Sequence, residues 1–337
     1  MELSKSVDNA LNKQIRLLKE HGVVFHQCDE TEAKEYLANN NYLFRVKRFE
    51  RNFDVDENGI LYGLDFAVLK DQAILDYELR LFVEYITLNV EHALKLRFNR
   101  LIMENPPTSG TNLARLLDPR KEFTYNPNTG FNNLGKIRFF PYTNEFVFEY
   151  LTDPEIWNLW EVCSFADLID FYRAYLNIIN YRDDACKLLA NARNLRNAAS
   201  HNIPILLTLG RTGYIPRNDY VSNCLKVLFG GTVPKPLPTT IKKSQLIYDF
   251  TGLLCVFLIT CNSRGTRLHA SVEANKVYAR IKRSYSKYYY TDKHCQELRN
   301  ILGGLAVSLS GFCNYLDDEA TGEIRKNLLH YSPVRRV

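Results

Sequence analysis

One short segment of the chain combines residue types that can carry out acid–base chemistry on a phosphodiester. It contains Arg196, Asn197 and His201. A histidine can give or take a proton near neutral pH, and an arginine keeps its charge and presents paired donors to phosphate oxygens. The amide of an asparagine can hold an imidazole ring in place. Together the three residue types are suited to cleaving a phosphodiester bond.

The sequence around these three residues has the pattern of an amphipathic helix. Leu188, Ala192, Leu195 and Ala199 recur at steps of four, three and four, which predicts one narrow apolar stripe facing a core. At about 100° per residue, five polar side chains fall in the sector opposite that stripe. They are Arg193, Arg196, Asn197, Ser200 and His201. The Asn197 amide lies one helical turn before the His201 ring, so the two are neighbours.

The predicted helix ends close to His201. Pro204 disfavours the helical conformation at Ile203, so we expect the helix to end near Asn202. His201 then lies at a helix C-terminus, where the helix dipole favours the charged imidazolium. On an ideal helix, Arg196 and His201 point roughly 140° apart. They can share one substrate only if the helix end is distorted or if a second copy of the chain supplies one of them.

The spacing of Arg196 and His201 is not unique in the chain. Three other arginines precede a histidine by the same interval, in the pairs Arg16/His21, Arg264/His269 and Arg325/His330. The first pair falls in the last turn of a predicted helix, and Gly265 is expected to break the helix between the members of the second. The third pair has no asparagine after its arginine. We therefore take Arg196 and His201, on their amphipathic helix, as the candidate site.

Four segments, in order along the chain, resemble one known family. Residues 195–201 resemble the Arg-Asn-x3-His signature of HEPN-domain ribonucleases. Residues 41–45, 76–81 and 160–168 are similar to the N-Y-Y-R-L, D-x-x-L-R and W-E-x-x-S-F-G-x-L stretches of AbiD/AbiF-type abortive-infection proteins. These matches cover roughly residues 10 to 230.

The chain departs from the family pattern at two places. Leu43 stands where the family has a second tyrosine. After His201 the chain continues with the apolar segment 202–206, where the family often carries a second histidine and an arginine. The segment after the signature therefore offers no such basic pair.

The resemblance implies an all-α, HEPN-like helical bundle and a metal-independent endoribonuclease that acts as a phage-defence toxin in abortive infection. It implies that Arg196 holds the phosphate oxygens, Asn197 fixes the ring and His201 moves protons. The RNA 2′-OH is the nucleophile, and the products are a 2′,3′-cyclic phosphate and a 5′-hydroxyl. Charged residues of the long helix line the cleft in this family, which adds Arg80 and Glu91 as candidates. Family members are associated with small non-coding RNAs, so a structured small RNA is an expected partner.

The composition is that of an ordinary globular protein, and the scattered cysteines lead us to expect a location in the cytoplasm. The chain has 337 residues, 46% hydrophobic and 24% charged, with a net charge of +5. That charge permits nucleic-acid binding without requiring it. The eight cysteines are scattered without metal-ligand spacing, so we expect reduced thiols, no metal and no cofactor. No run approaches the roughly 20 apolar residues that span a bilayer, and we expect neither a membrane segment nor a signal peptide.

Three regions are predicted along the chain. Residues 1–63 form an N-terminal helical extension. Residues 64–230 form the HEPN-like domain, with a loop insertion at about 106–142 that is rich in Asn, Gly, Pro and Thr. A Pro- and Gly-rich linker at 230–238 separates this domain from a helical C-terminal region over 241–337.

Apolar residues at helical spacing predict the main helices. They cover residues 5–21, 29–39, 65–104, 164–181 and 220–228, in addition to the helix that carries His201, which is expected to begin at Asp183. Residues 247–261 are so strongly apolar that we expect them to be fully buried.

Two stretches interleave basic and aromatic residues and are candidate RNA contacts, because cations bind phosphates and rings stack on unpaired bases. The candidates in residues 42–53 are Arg45, Lys47 and Arg48, and those in residues 280–290 are Arg280, Lys282, Arg283, Lys287 and Tyr285. Arg193, beside the candidate site, joins this set. The alternatives are a solvated loop with anchoring rings for the first stretch and an amphipathic helix end for the second.

Two residues of the upstream segment 160–168 are structural candidates first and site candidates second. Ser164 has the position of a helix cap, with Asp167 three residues later in a capping box. Glu161 precedes it by three residues. Together with Glu91, they form a second rank of candidates.

Functions other than a ribonuclease remain open. A non-catalytic RNA-binding module, held in complex with a structured small RNA, could use the same helix to bind RNA. A structural bundle that acts through protein partners is a third alternative. For any shared site, the divergence of Arg196 and His201 predicts a homodimer with a two-fold axis near Asn197.

Overall fold

The computed structural model describes residues 5–105, 141–152, 156–207, 219–320 and 335–336. The predicted loop insertion lies almost entirely outside these ranges, as does the Arg325/His330 pair. The division of the chain into three regions stays a prediction.

The protein is mostly helical (76% helix in the part that the structure describes), which confirms the predicted all-α class. The first helices are α1 (Lys5–Glu20), α2 (Glu30–Asn39), α3 (Leu43–Arg48), α4 (Phe66–Glu104), α5 (Asn144–Thr152), α6 (Ile156–Val162) and α7 (Phe165–Ile178). They are followed by α8 (Leu189–Ser200), α9 (Asp219–Leu228), α10 (Leu237–Lys243), α11 (Gln245–Thr260), α12 (Arg264–Ser284) and α13 (Gln296–Ala320). Strands β1 (Val23–Val24) and β2 (Leu64–Asp65) pair in parallel, and β3 (Tyr181–Arg182) and β4 (Arg335–Arg336) pair antiparallel.

Contacts divide the chain into two compact units. The first unit comprises residues 1–85, 195–251 and 267–326. The second comprises residues 86–194, 252–266 and 327–337.

The N-terminal helices of the first unit follow from local signals. Leu11, Ile15 and Leu18 recur on one face of α1 and are buried. The Asp29 side chain accepts a hydrogen bond from the Glu32 N–H at 2.8 Å, which satisfies a donor that the start of α2 would otherwise leave free. Both helices agree with the predictions.

The stretch between α2 and β2 is helical rather than a loop. Residues 43–48 form α3, and residues 49–52 continue as a 3₁₀ turn. Val46 and Phe49 are completely buried and anchor these two helical turns in the first unit. The alternative of a solvated loop is therefore wrong.

Helix α4 covers the stretch that the apolar spacing predicts as helical, and it is unbroken over 39 residues. Leu75 and Leu79 are buried in the first unit, and Ile86 and Val90 in the second. Apolar residues around most of a helix are typical of an element buried in a core.

In the second unit, Asp183 fixes the chain before α8. Arg97 donates two hydrogen bonds to its carboxylate at 2.6 and 3.0 Å, and the Tyr172 hydroxyl donates a third at 2.5 Å. Asp183 also accepts the Ala185 N–H at 2.9 Å and so caps a 3₁₀ turn over residues 184–187. Helix α8 therefore begins at Leu189. The predicted start at Asp183 is wrong.

The predicted cap of α7 is present. The Asp167 N–H donates to Ser164 Oγ at 3.2 Å, and Ser164 Oγ donates to the Asp167 carboxylate at 2.5 Å. The helix ends at Ile178, three residues before the predicted end, and Asn180 then adopts a left-handed backbone with φ 56°.

The C-terminal helices confirm one prediction and correct another. Residues 247–261 are buried throughout, as expected from their apolar composition. Gly265 does not break a helix, because α12 begins at Arg264 and runs to Ser284. No single described helix is long and apolar enough to cross a membrane. Helices α10 and α11 together reach that length and apolar composition, but they are bent by 114° at their junction.

Candidate active site at the end of helix α8

Helix α8 has the predicted amphipathic pattern. Leu188, Ala192, Leu195 and Ala199 are buried. The signature residues on the other side are more accessible, with Arg196 half-buried and Asn197 and His201 exposed. The N-terminal part of the helix packs closely in the second unit, where a Cβ on Gly252 of α11 would lie 2.6 Å from Asn191 Cγ. Only glycine permits that approach.

Helix α8 ends in a Schellman motif, in which His201 is the C-cap residue. The Asn202 N–H donates to the Ala199 carbonyl at 2.9 Å, and the Ile203 N–H donates to the Ala198 carbonyl at 2.8 Å. Asn202 adopts the left-handed conformation, with φ 56°, that this motif requires. The predicted helix end near Asn202 is confirmed.

Two buried arginines hold Asn202. Arg45 Nη1 donates to the Asn202 carbonyl oxygen at 2.9 Å, and Arg80 Nη1 donates to its side-chain oxygen at 2.5 Å. These arginines come from α3 and α4 and are only 7% and 6% exposed. The residue that follows His201 is thus fixed through both its backbone and its side chain.

Asp76 completes this network. Its Oδ2 accepts from Arg80 Nε at 2.9 Å and lies 3.7 Å from Arg45 Nη2, while its Oδ1 accepts the N–H groups of Ile205 and Leu206 at 2.7 and 2.8 Å. Because Asp76 is fully buried, its charge has to be balanced by such partners. The network of Arg45, Asp76, Arg80 and Asn202 is called the exit clamp below.

The exit clamp gives a structural role to two of the family-like segments. Arg45 ends the segment 41–45, and Asp76 and Arg80 lie in the segment 76–81. Nearby, Asn52 Nδ2 donates to the Leu206 carbonyl at 2.9 Å. Arg45 and Arg80 were predicted to contact RNA, but the structure buries both and turns their guanidinium groups toward Asn202 and Asp76.

Sequence reasoning missed Asp76 and Asn202 as site residues. Asp76 appeared only as part of a family-like segment, and nothing local shows that it meets the chain after His201. The signal for Asn202 was its residue type, because asparagine adopts the left-handed conformation more readily than most other non-glycine residues.

The orienting contact predicted within the signature is not formed. Within the described ranges, no hydrogen bond joins the Asn197 amide to the His201 ring, although the His201 N–H donates to the Asn197 carbonyl at 3.1 Å as in a regular helix. The roles of Arg196, Asn197 and His201 stay predictions. Arg193, the RNA-binding candidate one turn before Asn197, is half-buried in the second unit.

The second-rank candidates belong to the second unit. Lys95 Nζ lies 3.4 Å from Glu161 Oε1, and Ser164 is occupied by its capping contacts with Asp167. Glu91 is half-buried. The structure therefore shows structural contacts for Glu161 and Ser164, and their part in a site stays a prediction.

The basic stretch after residue 280 divides into buried and exposed members. Arg280 is 8% exposed, and its guanidinium lies 2.7 Å from Asp71 and 3.2 Å from Glu78. Lys282, Arg283 and Lys287 are exposed, and Tyr285 is half-buried. Arg280 thus holds α12 to α4 within the first unit, whereas the three exposed cations remain accessible to a ligand.

The other arginine–histidine pairs have different surroundings. His21 lies between two charged groups, with Nδ1 3.2 Å from Glu50 Oε2 and Nε2 3.2 Å from Lys47 Nζ. Lys47, also predicted to contact RNA, therefore has a partner inside the protein. His269 is exposed, with Nε2 3.9 Å from half-buried Glu273 on the same helix and its ring centroid 5.0 Å from that of Tyr85.

A cavity of about 540 Å³ lies in the second unit between the C-terminal half of α4 and the start of α12. Its polar lining includes Asn89, His92, Arg100 and Ser263, and none of the signature residues contributes to it. Among the described residues, no group of three or more His, Cys, Asp or Glu side chains is arranged to hold a metal ion.

Fold and site together define an all-α protein. The polar end of one helix is accessible, and the chain segment that follows this helix is held by a buried ionic network. Residues 35–206 match the family model of the Abi-like proteins, and the chain belongs to this family. The matched range includes the whole exit clamp and the signature. Membership suggests a role in abortive infection, a form of phage defence. Comparisons with curated proteins and with solved structures found no match.

Proposed function

We propose that the protein is a metal-independent endoribonuclease that acts as a toxin in abortive infection. The observation that carries this proposal is the contrast at the end of α8. Asn197 and His201 are exposed, whereas the chain directly after them is fixed by buried Arg45 and Arg80. A general acid or base has to be open to its ligand and held in place, since catalysis depends on positioned groups.

The chemistry requires little from the protein because RNA supplies its own nucleophile. The 2′-oxygen attacks the adjacent phosphorus as its proton leaves, and the bond from phosphorus to the 5′-oxygen breaks as that oxygen gains a proton. His201 moves one of these protons. Arg196 binds the non-bridging oxygens as negative charge develops. The products are a 2′,3′-cyclic phosphate and a 5′-hydroxyl.

The proposal includes the setting of the reaction. The active unit is a homodimer in the cytoplasm, no cofactor is required, and a structured small RNA binds the protein. Exposed Lys282, Arg283 and Lys287 supply cations for an RNA backbone. Family membership supports the setting in phage defence.

The test is an end-group analysis of cleaved RNA. Purified protein is incubated with 5′-labelled RNA in excess EDTA, and the new ends are identified by their reactivity with polynucleotide kinase in its phosphatase and kinase reactions. We expect cyclic phosphate and 5′-hydroxyl ends. Strict dependence on Mg²⁺ or Mn²⁺ would overturn the mechanism. RNA that is bound but never cut would favour the non-catalytic RNA-binding module instead.

A further inference from the structure

Two exposed aromatic rings beside the exit clamp are each covered on one side by an arginine. The Phe44 ring is 65% exposed, and the Arg48 guanidinium carbon lies 4.9 Å from its centroid. The Tyr77 ring is 53% exposed, and the Arg80 guanidinium carbon lies 5.6 Å from its centroid. Leaving large rings in water is unfavourable, and here the protein does so on two different helices.

Both rings are tied to the residue that follows His201. Arg80 contacts the Tyr77 ring and also donates to the Asn202 side chain, so a single guanidinium connects the ring to the exit of α8. Phe44 directly precedes Arg45, which donates to the Asn202 carbonyl. The same clamp that fixes the exit of α8 thus fixes the helices that carry the two rings.

We infer that Phe44 and Tyr77 are stacking sites for unpaired bases of the RNA that is cleaved at His201. The inference rests on the proposed function, because RNA is the ligand it assumes. A base presents a flat π-face to an aromatic ring, and the half-buried Arg48 guanidinium beside Phe44 can bind a phosphate. In a duplex the base faces are already stacked on one another, so these rings select single-stranded or looped RNA.

The local charge favours RNA over an apolar partner. The exit clamp contains two guanidinium groups, from Arg45 and Arg80, and one carboxylate, from Asp76, so it carries a net positive charge. Arg45 Nη2 is buried and makes no hydrogen bond among the described residues. Within the same ranges Arg48 has no carboxylate within ion-pair distance, so a second positive charge lies beside the Phe44 ring. The net charge of the exit clamp attracts an anionic ligand, and Arg48 beside the Phe44 ring matches the combination of phosphate and base.

The test separates binding from cleavage. The probe is a fluorescent single-stranded oligonucleotide of 2′-O-methyl RNA, which lacks the nucleophile and cannot be cut by the proposed chemistry. Phe44→Leu and Tyr77→Leu keep apolar side chains without rings, and each is expected to weaken binding of the full-length protein about 5- to 100-fold. Phe44→Tyr and Tyr77→Phe keep the rings and are expected to bind like the wild type. Tyr62→Leu, which removes a ring of similar exposure (54%), serves as the matched control.

A second measurement needs no variant. A series of probes is made, each with one abasic position at a different place. We expect the wild type to bind one or two of these probes more weakly than the intact probe. The leucine variants should lose much less affinity for the same probes. Unchanged affinity of both leucine variants, or equal binding of the annealed duplex, would overturn the inference. A loss of dimer in sedimentation with RNA affinity intact would assign the rings to contact with a second copy. If binding depended on the two rings but the wild type did not cleave unmodified RNA, the inference would be supported and the proposed ribonuclease function would be wrong.

Discussion

His201 and His269 follow an arginine at the same spacing, and both are exposed at the surface of α-helical structure. Their surroundings differ. His201 directly follows the last residue of α8 and precedes a chain segment fixed by buried arginines, whereas His269 lies in the first turns of α12 near Glu273. The pair therefore offers a matched comparison between a candidate catalytic residue and an ordinary surface histidine.

We predict that His201→Ala slows RNA cleavage roughly 10²- to 10⁴-fold, which is the usual contribution of a general acid or base. Arg196→Ala should produce a similar loss, because the charge that develops on the phosphate is then unbalanced. The measurement is the single-turnover rate of cleavage of a labelled RNA, with far-UV circular dichroism to check the fold.

His269→Ala serves as the control and should cleave at the wild-type rate. Its side chain is 59% exposed, and it loses one ion-pair contact at 3.9 Å and one ring contact with Tyr85, so circular dichroism is used to check that the fold is kept. If both His201→Ala and Arg196→Ala cleaved normally, the signature would not be the active site.

At the scale of elements, the exit clamp joins α3, α4 and the chain after α8 through one buried carboxylate. Removing that carboxylate leaves two arginines that are each less than a tenth exposed. We predict that Asp76→Ala lowers the free energy of unfolding by about 3–5 kcal/mol, the usual cost of an uncompensated buried charge. Urea unfolding followed by circular dichroism measures the change.

The matched control is an ion pair on the same helix that lies in water. Arg100 Nε and Glu104 Oε1 are 2.9 Å apart, but the side chains are 71% and 52% exposed. Glu104→Gln should therefore change the free energy of unfolding by less than about 1 kcal/mol. Equal effects of the two substitutions would mean that Asp76 does not hold the clamp together.

The elements also show which parts of the structure the sequence could predict. The Ser164 cap, the buried stripe of α8 and the end of α8 depend on residues within a few positions of each other, and all three were predicted. Asp76 and Leu206 are 130 residues apart, and Arg45 and Asn202 are 157 apart. No local pattern encodes such contacts. Arg45 was therefore interpreted as an RNA ligand from its basic and aromatic neighbours, and Arg80 from the family resemblance.

Helix capping shows the same limit. Asp183 was expected to start the helix that carries His201, and aspartate is indeed a common cap. It caps the preceding 3₁₀ turn instead, since Arg97 and Tyr172 hold its carboxylate at that place. The sequence around Asp183 is compatible with a cap of α8 and with a cap of the 3₁₀ turn, and a tertiary contact decided between the two.

At the scale of the whole molecule, the buried thiols predict a loss of stability at alkaline pH. Burial raises the pKa of Cys28 and of Cys295 from 9.0 to about 12. From pH 9 upward these thiols ionise in the unfolded chain but not in the folded one. The unfolded state then binds fewer protons, and stability falls with rising pH.

Each such thiol should lower the free energy of unfolding by about 1.4 kcal/mol per pH unit in this window. Urea midpoints measured at pH 8, 9 and 10 test the prediction, and a Cys28→Ala/Cys295→Ala variant should lose the part of the slope above pH 9 that these two thiols contribute. A slope that stays the same in this variant would contradict the prediction.

The last prediction concerns the number of chains in the active unit. Helical hydrogen bonding continues through His201, whose N–H donates to the Asn197 carbonyl at 3.1 Å. The helix end is therefore not distorted before His201, and the estimate that Arg196 and His201 point roughly 140° apart holds for this helix. This geometry favours a second copy of the chain as the source of one of the two groups.

We therefore predict that the protein is active as a homodimer in which Arg196 of one chain and His201 of the other meet one phosphate. Specific activity should fall on dilution in parallel with the dimer fraction measured by sedimentation. Arg196→Ala and His201→Ala proteins should each be inactive, and mixing them should restore part of the activity, because mixed dimers contain one intact pair. Full specific activity at concentrations where sedimentation shows only monomer would rule out the shared site.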